Sequence, residues 1–275
     1  MELISGVIKK AYLNYTLYFI NNLSDEFKDN IRKYLSEICH GEAKANRGRL
    51  VYSYKETLRK FISIYKNESK SKNKTRQKGL IGELLVHIIL KLENKFVKAS
   101  AFFNLEENSF KKGYDLVLFE SGSNELWITE VKSGEKQKNQ ANSSASMVAL
   151  INEAQNDLEE RLSSNNSDLW INAINAANSA MSNSNSQKDI VITLLEDCAD
   201  CSCCEPKIDS SNFNVILTGV LFHPLSESVS EKNVGIKYKK IVKQNIFKNV
   251  LVIAIQKETF QAVFDFLESE IENEI

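Results

Sequence analysis

The chain has 275 residues, with 35 Lys and Arg against 36 Asp and Glu, a hydrophobic fraction of 43% and a charged fraction of 26%. That length buries a sizeable core in one large domain, or in one domain plus an extension, and the composition is that of a globular protein. The near balance of charge excludes a protein that grips nucleic acid through an overall basic excess, so any such grip needs a local basic surface or a second subunit.

From the start of the chain, Ile4, Ile8, Tyr12, Tyr15 and Phe19 recur at three- and four-residue steps, interrupted by Lys9, Lys10 and Asn14. The spacing predicts a helix, and the interruptions leave no secretory h-region. No run is long enough to span a membrane, so a cytoplasmic protein with reduced thiols is expected. Ser24-Asp25-Glu26 looks like a helix start, followed by the stripe Phe27, Ile31, Tyr34, Ile38. Gly41 and Gly48 bracket a turn, and Leu50, Tyr54, Leu58, Phe61 and Tyr65 form a further stripe. Residues 1–70 are therefore read as helical, an extension packed on the rest or a docking region for a partner.

Lys66, Lys70, Lys72, Lys74, Arg76 and Lys78 face only Glu68 in the next stretch. Such a run is a solvated loop or a phosphate-contacting one, and Lys72, Lys74, Arg76 and Lys78 are the candidate nucleic-acid contacts. Residues 76–94 are apolar on nearly every face, which predicts a buried helix. Glu83 lies in its middle, where a carboxylate has to be paired, protonated or metal-bound. Gly79 and Gly82 would let this helix approach a sheet closely.

Gly113 to Lys132 holds two apolar, β-prone runs around Ser121-Gly122-Ser123-Asn124. This is a hairpin signal. A tight turn centred on Gly122-Ser123 places Asp115 opposite Glu130, and Glu130 shares its sheet face with Lys132 two residues on. Two carboxylates and an ammonium then converge. The carboxylates repel each other, and a divalent cation such as Mg²⁺, which prefers oxygen ligands, removes the conflict. The plain alternative is a surface hairpin with a salt bridge. Glu-x-Lys itself is uninformative, since it recurs at Glu42/Lys44, Glu68/Lys70, Glu93/Lys95 and Glu205/Lys207. Only Glu130/Lys132 sits in a β-patterned run after a Gly-x-Asp strand start.

Ser133-Gly134 is expected to end that strand, and Lys136 and Lys138 are further candidate phosphate contacts. Helical spacing follows over Ser144–Leu162 and Leu169–Met181. Continuous apolar runs at Ile190–Leu195, Phe213–Phe222 and Val250–Ile255 predict strands covered on both faces. A last helix passes through Phe260, Val263, Phe264 and Leu267. Cys198, Cys201, Cys203 and Cys204 could hold a structural Zn²⁺. Their compressed spacing, with no second pair nearby, favours an exposed thiol-rich loop instead. Walker, dinucleotide-binding and Gly-x-Ser-x-Gly motifs are absent, and His40, His87 and His223 are scattered. The mixed order of elements fits an α/β fold with a central mixed sheet flanked by helices.

Gly113-Tyr114-Asp115, then Glu130-Val131-Lys132, preceded by a helix carrying Gly82-Glu83, resembles the PD-(D/E)xK nuclease superfamily. Within it the chain is similar to the nuclease subunit of the Hachiman anti-phage defence system, whose chains have a similar length, a helical N-terminal part and a partner helicase. The motifs cover Thr75 to Lys132, and the Pro that often precedes the Asp is missing. The resemblance implies a restriction-endonuclease-like domain over 71–275 after an N-terminal helical extension. It implies Mg²⁺-dependent cleavage of DNA, with Mn²⁺ able to substitute. Asp115, Glu130 and the Val131 main-chain carbonyl would hold the metal, Lys132 would stabilise developing charge, and Glu83 would orient a water or a second ion. A helicase partner would control the activity. A non-catalytic binding or assembly subunit and an RNA-cleaving enzyme are the alternatives, and nothing in the sequence separates DNA from RNA.

Overall fold

The computed structural model describes residues 1–69, 74–104, 109–110, 113–164, 166–184, 186–204 and 209–272. Three strands come first: β1 (Glu2–Ile4), β2 (Val7–Ala11) and β3 (Tyr15–Ile20). The helical reading of this segment is thereby corrected. Tyr15-Thr16-Leu17-Tyr18-Phe19-Ile20 is a run of β-branched, aromatic and aliphatic residues, and its last four are all buried. A strand covered on both faces has apolar residues at every spacing, the helical one included.

Helices then follow, most as expected, with one short helix, Glu42–Ala45, inside the stretch read as a turn between Gly41 and Gly48. α1 (Asp25–His40) is capped by Ser24, whose side chain accepts from the Phe27 N–H, with Asp25 and Glu26 in its first turn. α2 (Glu42–Ala45), α3 (Tyr54–Ser69) and α4 (Thr75–Glu93) complete the group. After them come β4 (Val97–Lys98), the small separate pair β5 (Phe103–Asn104) and β6 (Ser109–Phe110), β7 (Leu116–Glu120) and β8 (Glu125–Glu135). The chain continues through α5 (Ser143–Leu162), α6 (Ser167–Ala180), α7 (Lys188–Cys204), β9 (Asn214–Phe222), α8 (Glu231–Lys243), β10 (Asn249–Lys257) and α9 (Gln261–Glu272).

Eight strands form one sheet in the order β1-β2-β3-β10-β9-β8-β7-β4. The middle four are parallel and the flanking pairs antiparallel, giving the expected mixed α/β sheet. Because β3 pairs with β10, the first residues of the chain belong to the central sheet. One face packs against α1, α3, α4 and α9 through residues such as Phe27, Phe61, Leu84 and Val263. The other packs against α5, α6, α7 and α8 through Met147, Ile151, Trp170, Leu195 and Val234.

Three further readings change. Ile190–Leu195 lies in α7 and is not a strand: Val191 and Leu195, four apart, are buried while Ile190 is 41% exposed, the signature of one helix face. The cysteines at 198–204 fall on the same helix, so the loop reading is corrected too. β8 does not stop at Ser133-Gly134 but runs on to Glu135, held by β9 through the pair Glu135↔Phe222.

Gly82 decides how closely α4 seats on the sheet. A Cβ there would lie 1.8 Å from Ser133 Oγ and 2.7 Å from Ser133 Cβ, whereas one at Gly79 meets nothing within 4 Å. Gly82→Ala is therefore expected to cost about 1–3 kcal/mol through overpacking. Gly79→Ala, in an open helical position, should stabilise by up to about 1 kcal/mol. Urea unfolding of the two variants checks this; equal effects would contradict the close seating of α4.

Candidate active site

The hairpin has the register expected from sequence: Leu116↔Thr129, Val117↔Ile128 and Glu120↔Glu125. Asp115 lies one residue before β7, next to the last ladder pair Leu116↔Thr129, and its charge acts on Glu130. Beyond Leu116↔Thr129 the β7–β8 ladder ends, while β8 continues beside β9 from Glu130↔Leu217 onward. A notch opens at this point on one edge of β8. The Val131 N–H, facing it, donates to Asp115 Oδ2 at 2.7 Å. In an extended strand a residue's N–H and C=O point to the same side, so the Val131 carbonyl is directed there as well. Tyr114, beside Asp115, is buried against Trp170 of α6 with ring centroids 4.9 Å apart, which anchors the loop carrying the carboxylate.

Glu130 is 1% exposed. Its Oε1 lies 2.9 Å from Lys132 Nζ and its Oε2 3.0 Å from Arg161 Nη1. Lys132 Nζ also reaches Asp157 Oδ2 at 2.5 Å, and Arg161 Nη1 donates to the Gly113 carbonyl at 3.1 Å. Asp157 and Arg161 are one turn apart on α5, and neither was found from sequence. Their i,i+4 spacing beside the buried stripe Ala154-Leu158 was visible, but such pairs are common on helix surfaces.

Burial, reinforced by Asp115 and opposed by Arg161 and Lys132, pushes the Glu130 carboxyl up to about 7. Burial works against the Lys132 ammonium, yet Glu130 and Asp157 outweigh it and hold its pKa above the ordinary lysine value. Among the described residues, three carboxylates, Asp115, Glu130 and Asp157, thus gather around two cations, Lys132 and Arg161. A hard divalent cation fits this donor set: two carboxylates whose mutual repulsion it would relieve, and a carbonyl directed at the same notch. Among the described residues no group of three or more His, Cys, Asp or Glu side chains is gathered as for a metal held by side chains alone.

A family model described as HamA matches residues 6–269. This chain belongs to the HamA family. That makes it a subunit of the Hachiman anti-phage defence system, which is built from more than one subunit. The comparison with curated proteins gave no match. No helix among the described residues of this HamA-family chain is long and apolar enough to cross a membrane.

The other predicted site residues are dispersed. Glu83 rises from α4, which packs on the opposite sheet face; its Oε1 lies 3.8 Å from His87 Nε2. Lys78 is paired with Glu135 at 2.7 Å, and Lys136 with Glu227 at 2.9 Å. Glu227 also accepts from the Ser143 N–H and contacts His223 Nε2 at 2.8 Å. Lys74, Arg76 and Lys138 are exposed, and Lys72 lies outside the described residues. Cys198 is half-buried and Cys201 and Cys203 are exposed, while the side chain of Cys204 lies outside the described set.

The raised Glu130 pKa has a sign that can be checked. A carboxyl whose folded pKa exceeds its unfolded value stabilises the fold when protonated, and that contribution disappears as pH rises through about 7. In metal-free buffer the wild type should lose on the order of 1–3 kcal/mol relative to Glu130→Gln between about pH 5 and pH 8. Urea unfolding across that range reads the difference. A constant difference would mean that Arg161 and Lys132 keep Glu130 charged throughout.

Proposed function

We propose that this HamA-family chain is a Mg²⁺-dependent phosphodiesterase that cleaves DNA, the effector of a defence complex, with a helicase partner restraining it. The observation that carries this reading is the convergence of Asp115, Glu130 and Lys132 where the β7–β8 ladder opens. The resemblance to PD-(D/E)xK nucleases supports it, since the same three positions carry that motif.

Asp115, Glu130 and the Val131 carbonyl would hold Mg²⁺, which when bound polarises a phosphate and acidifies a water. The Val131 N–H keeps one Asp115 oxygen in place, so the carboxylate presents its other oxygen in a fixed direction. Lys132 stands 18% exposed at the mouth of the cluster, close enough to solvent to meet a phosphate and buried enough for its charge to count. It would donate to the oxygens that gain charge in the transition state. The burial of Glu130 excludes water from its carboxylate and fixes its rotamer. Glu83, on α4 against the opposite sheet face, stands apart from this cluster and is given no part in the reaction.

Plasmid cleavage in Mg²⁺ against EDTA tests this, with the partner helicase present and absent. Wild type should cut only with Mg²⁺. Glu130→Ala should abolish cutting, and Lys132→Ala should slow it by about 10²–10³-fold, the effect of removing one transition-state donor. Uncut DNA under every condition, with single-stranded RNA degraded instead, would change the substrate. Intact DNA and RNA together would leave the charge cluster as a structural salt-bridge network.

A further inference from the structure

Asp157 and Arg161 approach the charged centre from α5, one reaching Lys132 and the other Glu130 on β8. Arg161 uses one nitrogen for two acceptors, Glu130 Oε2 at 3.0 Å and the Gly113 carbonyl at 3.1 Å. That nitrogen carries two N–H groups, so each acceptor receives its own hydrogen. Gly113 precedes Asp115 by two residues, and Arg161 therefore ties the loop that delivers one carboxylate to the side chain that is the other. Asp157, one turn earlier, holds Lys132 Nζ at 2.5 Å.

We propose that α5 is the positioning element of this site: Arg161 sets the separation of the Asp115 and Glu130 carboxylates, and Asp157 sets the direction of the Lys132 ammonium. The proposal rests on the phosphodiesterase reading above. Neutralising Glu130 alone would not require this arrangement, because Lys132 already sits 2.9 Å from it. What Arg161 adds is the bond to Gly113, which holds a loop and covers no core. What Asp157 adds is a second pull on Lys132 from the solvent side, since Asp157 is 40% exposed where Glu130 is 1%. The ammonium is thereby held between the buried carboxylate and the open mouth, where a phosphate would arrive. Neither α5 residue needs to touch substrate; both act through Glu130, Lys132 and the Gly113 loop.

The test uses the full chain under the conditions in which wild type cuts plasmid, with the partner if it is required. Arg161→Ala, Arg161→Lys and Asp157→Asn are compared by kcat and KM, and by hydrogen–deuterium exchange of the peptide around Gly113–Leu116. Arg161→Ala should lower kcat by about 10–100-fold with KM for DNA within about threefold of wild type, as expected for lost alignment. Guanidinium chloride at low, non-denaturing concentration should restore part of that loss, and equal NaCl should not. Exchange should rise at 113–116 while the β9 and β10 peptides stay protected. Arg161→Lys should fall between wild type and alanine, and Asp157→Asn should lower kcat without changing exchange at 113–116.

Unchanged kcat in Arg161→Ala overturns the proposal while leaving the phosphodiesterase reading intact. So does a loss that guanidinium does not restore and that comes with faster exchange across the whole sheet, which is general destabilisation. A wild type that cuts nothing overturns both, and is told apart because it fails before any variant is compared.

Discussion

A carboxylate buried to 1% exposure is the constraint around which this site is built. Taking Glu130 out of water costs several kcal/mol, and only close cations with good geometry return it. Lys132 and Arg161 each cover one oxygen, and Asp157 and the Gly113 carbonyl each take one further donor of those cations. Three segments distant in sequence are thereby fixed to one another: the loop before β7, the middle of β8, and the last two turns of α5. The placement of α5 on the sheet then becomes more than packing. Its apolar stripe of Met147, Leu150, Ile151, Ala154 and Leu158 sets its distance from β8 and β9, and its charged pair sets its rotation.

The opposite face is organised by steric fit. Gly82 lets α4 lie against Ser133, in the part of β8 that outruns β7. Stripping the β7 partner from this end of β8 would leave exposed edge groups. β9 keeps the other edge of β8 paired as far as Glu135, and on the β7 edge a side chain, Asp115, takes the Val131 N–H in place of a strand. A carboxylate that takes the place of a ladder partner is held by a charge-assisted hydrogen bond, stronger than a neutral one. The notch thus supplies both the opening and a fixed side chain within it.

How much of this was legible in the sequence follows from the range of the interaction involved. The Gly122-Ser123 turn is local, and its chemistry set the register that brings Asp115 and Glu130 together. Helix α1 was legible from its cap and stripe, α4 from its length and its all-round apolar character, and α5 from its spacing. The first three strands were not, since Leu17 to Ile20 are buried on both faces and their spacing imitates a helix. α7 failed in the reverse direction: the run Ile190–Leu195, apolar but for Thr193, read as a covered strand, although only Val191 and Leu195 in it are buried. α8 was missed because Val234 and Ile241 are separated by a buried lysine, Lys237, which Gln155 satisfies through a 2.6 Å hydrogen bond. Asp157 and Arg161 depend on where α5 docks, a long-range fact that no local pattern encodes.

The neutral charge of the whole chain acquires a structural counterpart. Several lysines that looked available for phosphate are committed within the fold: Lys78 to Glu135, Lys136 to Glu227 and Lys66 to Glu268. Surface pairs of this kind contribute little to stability, at most about 1 kcal/mol each. They do, however, neutralise the charge that would otherwise draw a polyanion, and salt-dependent affinity scales with the number of cations left to neutralise phosphates. Of the predicted contacts, Lys74 and Lys138 are exposed. A site assembled with a dense local charge cluster but set in an internally paired surface is poorly equipped to capture DNA alone. Under the proposed phosphodiesterase reading, that combination favours delivery of the strand by a partner subunit.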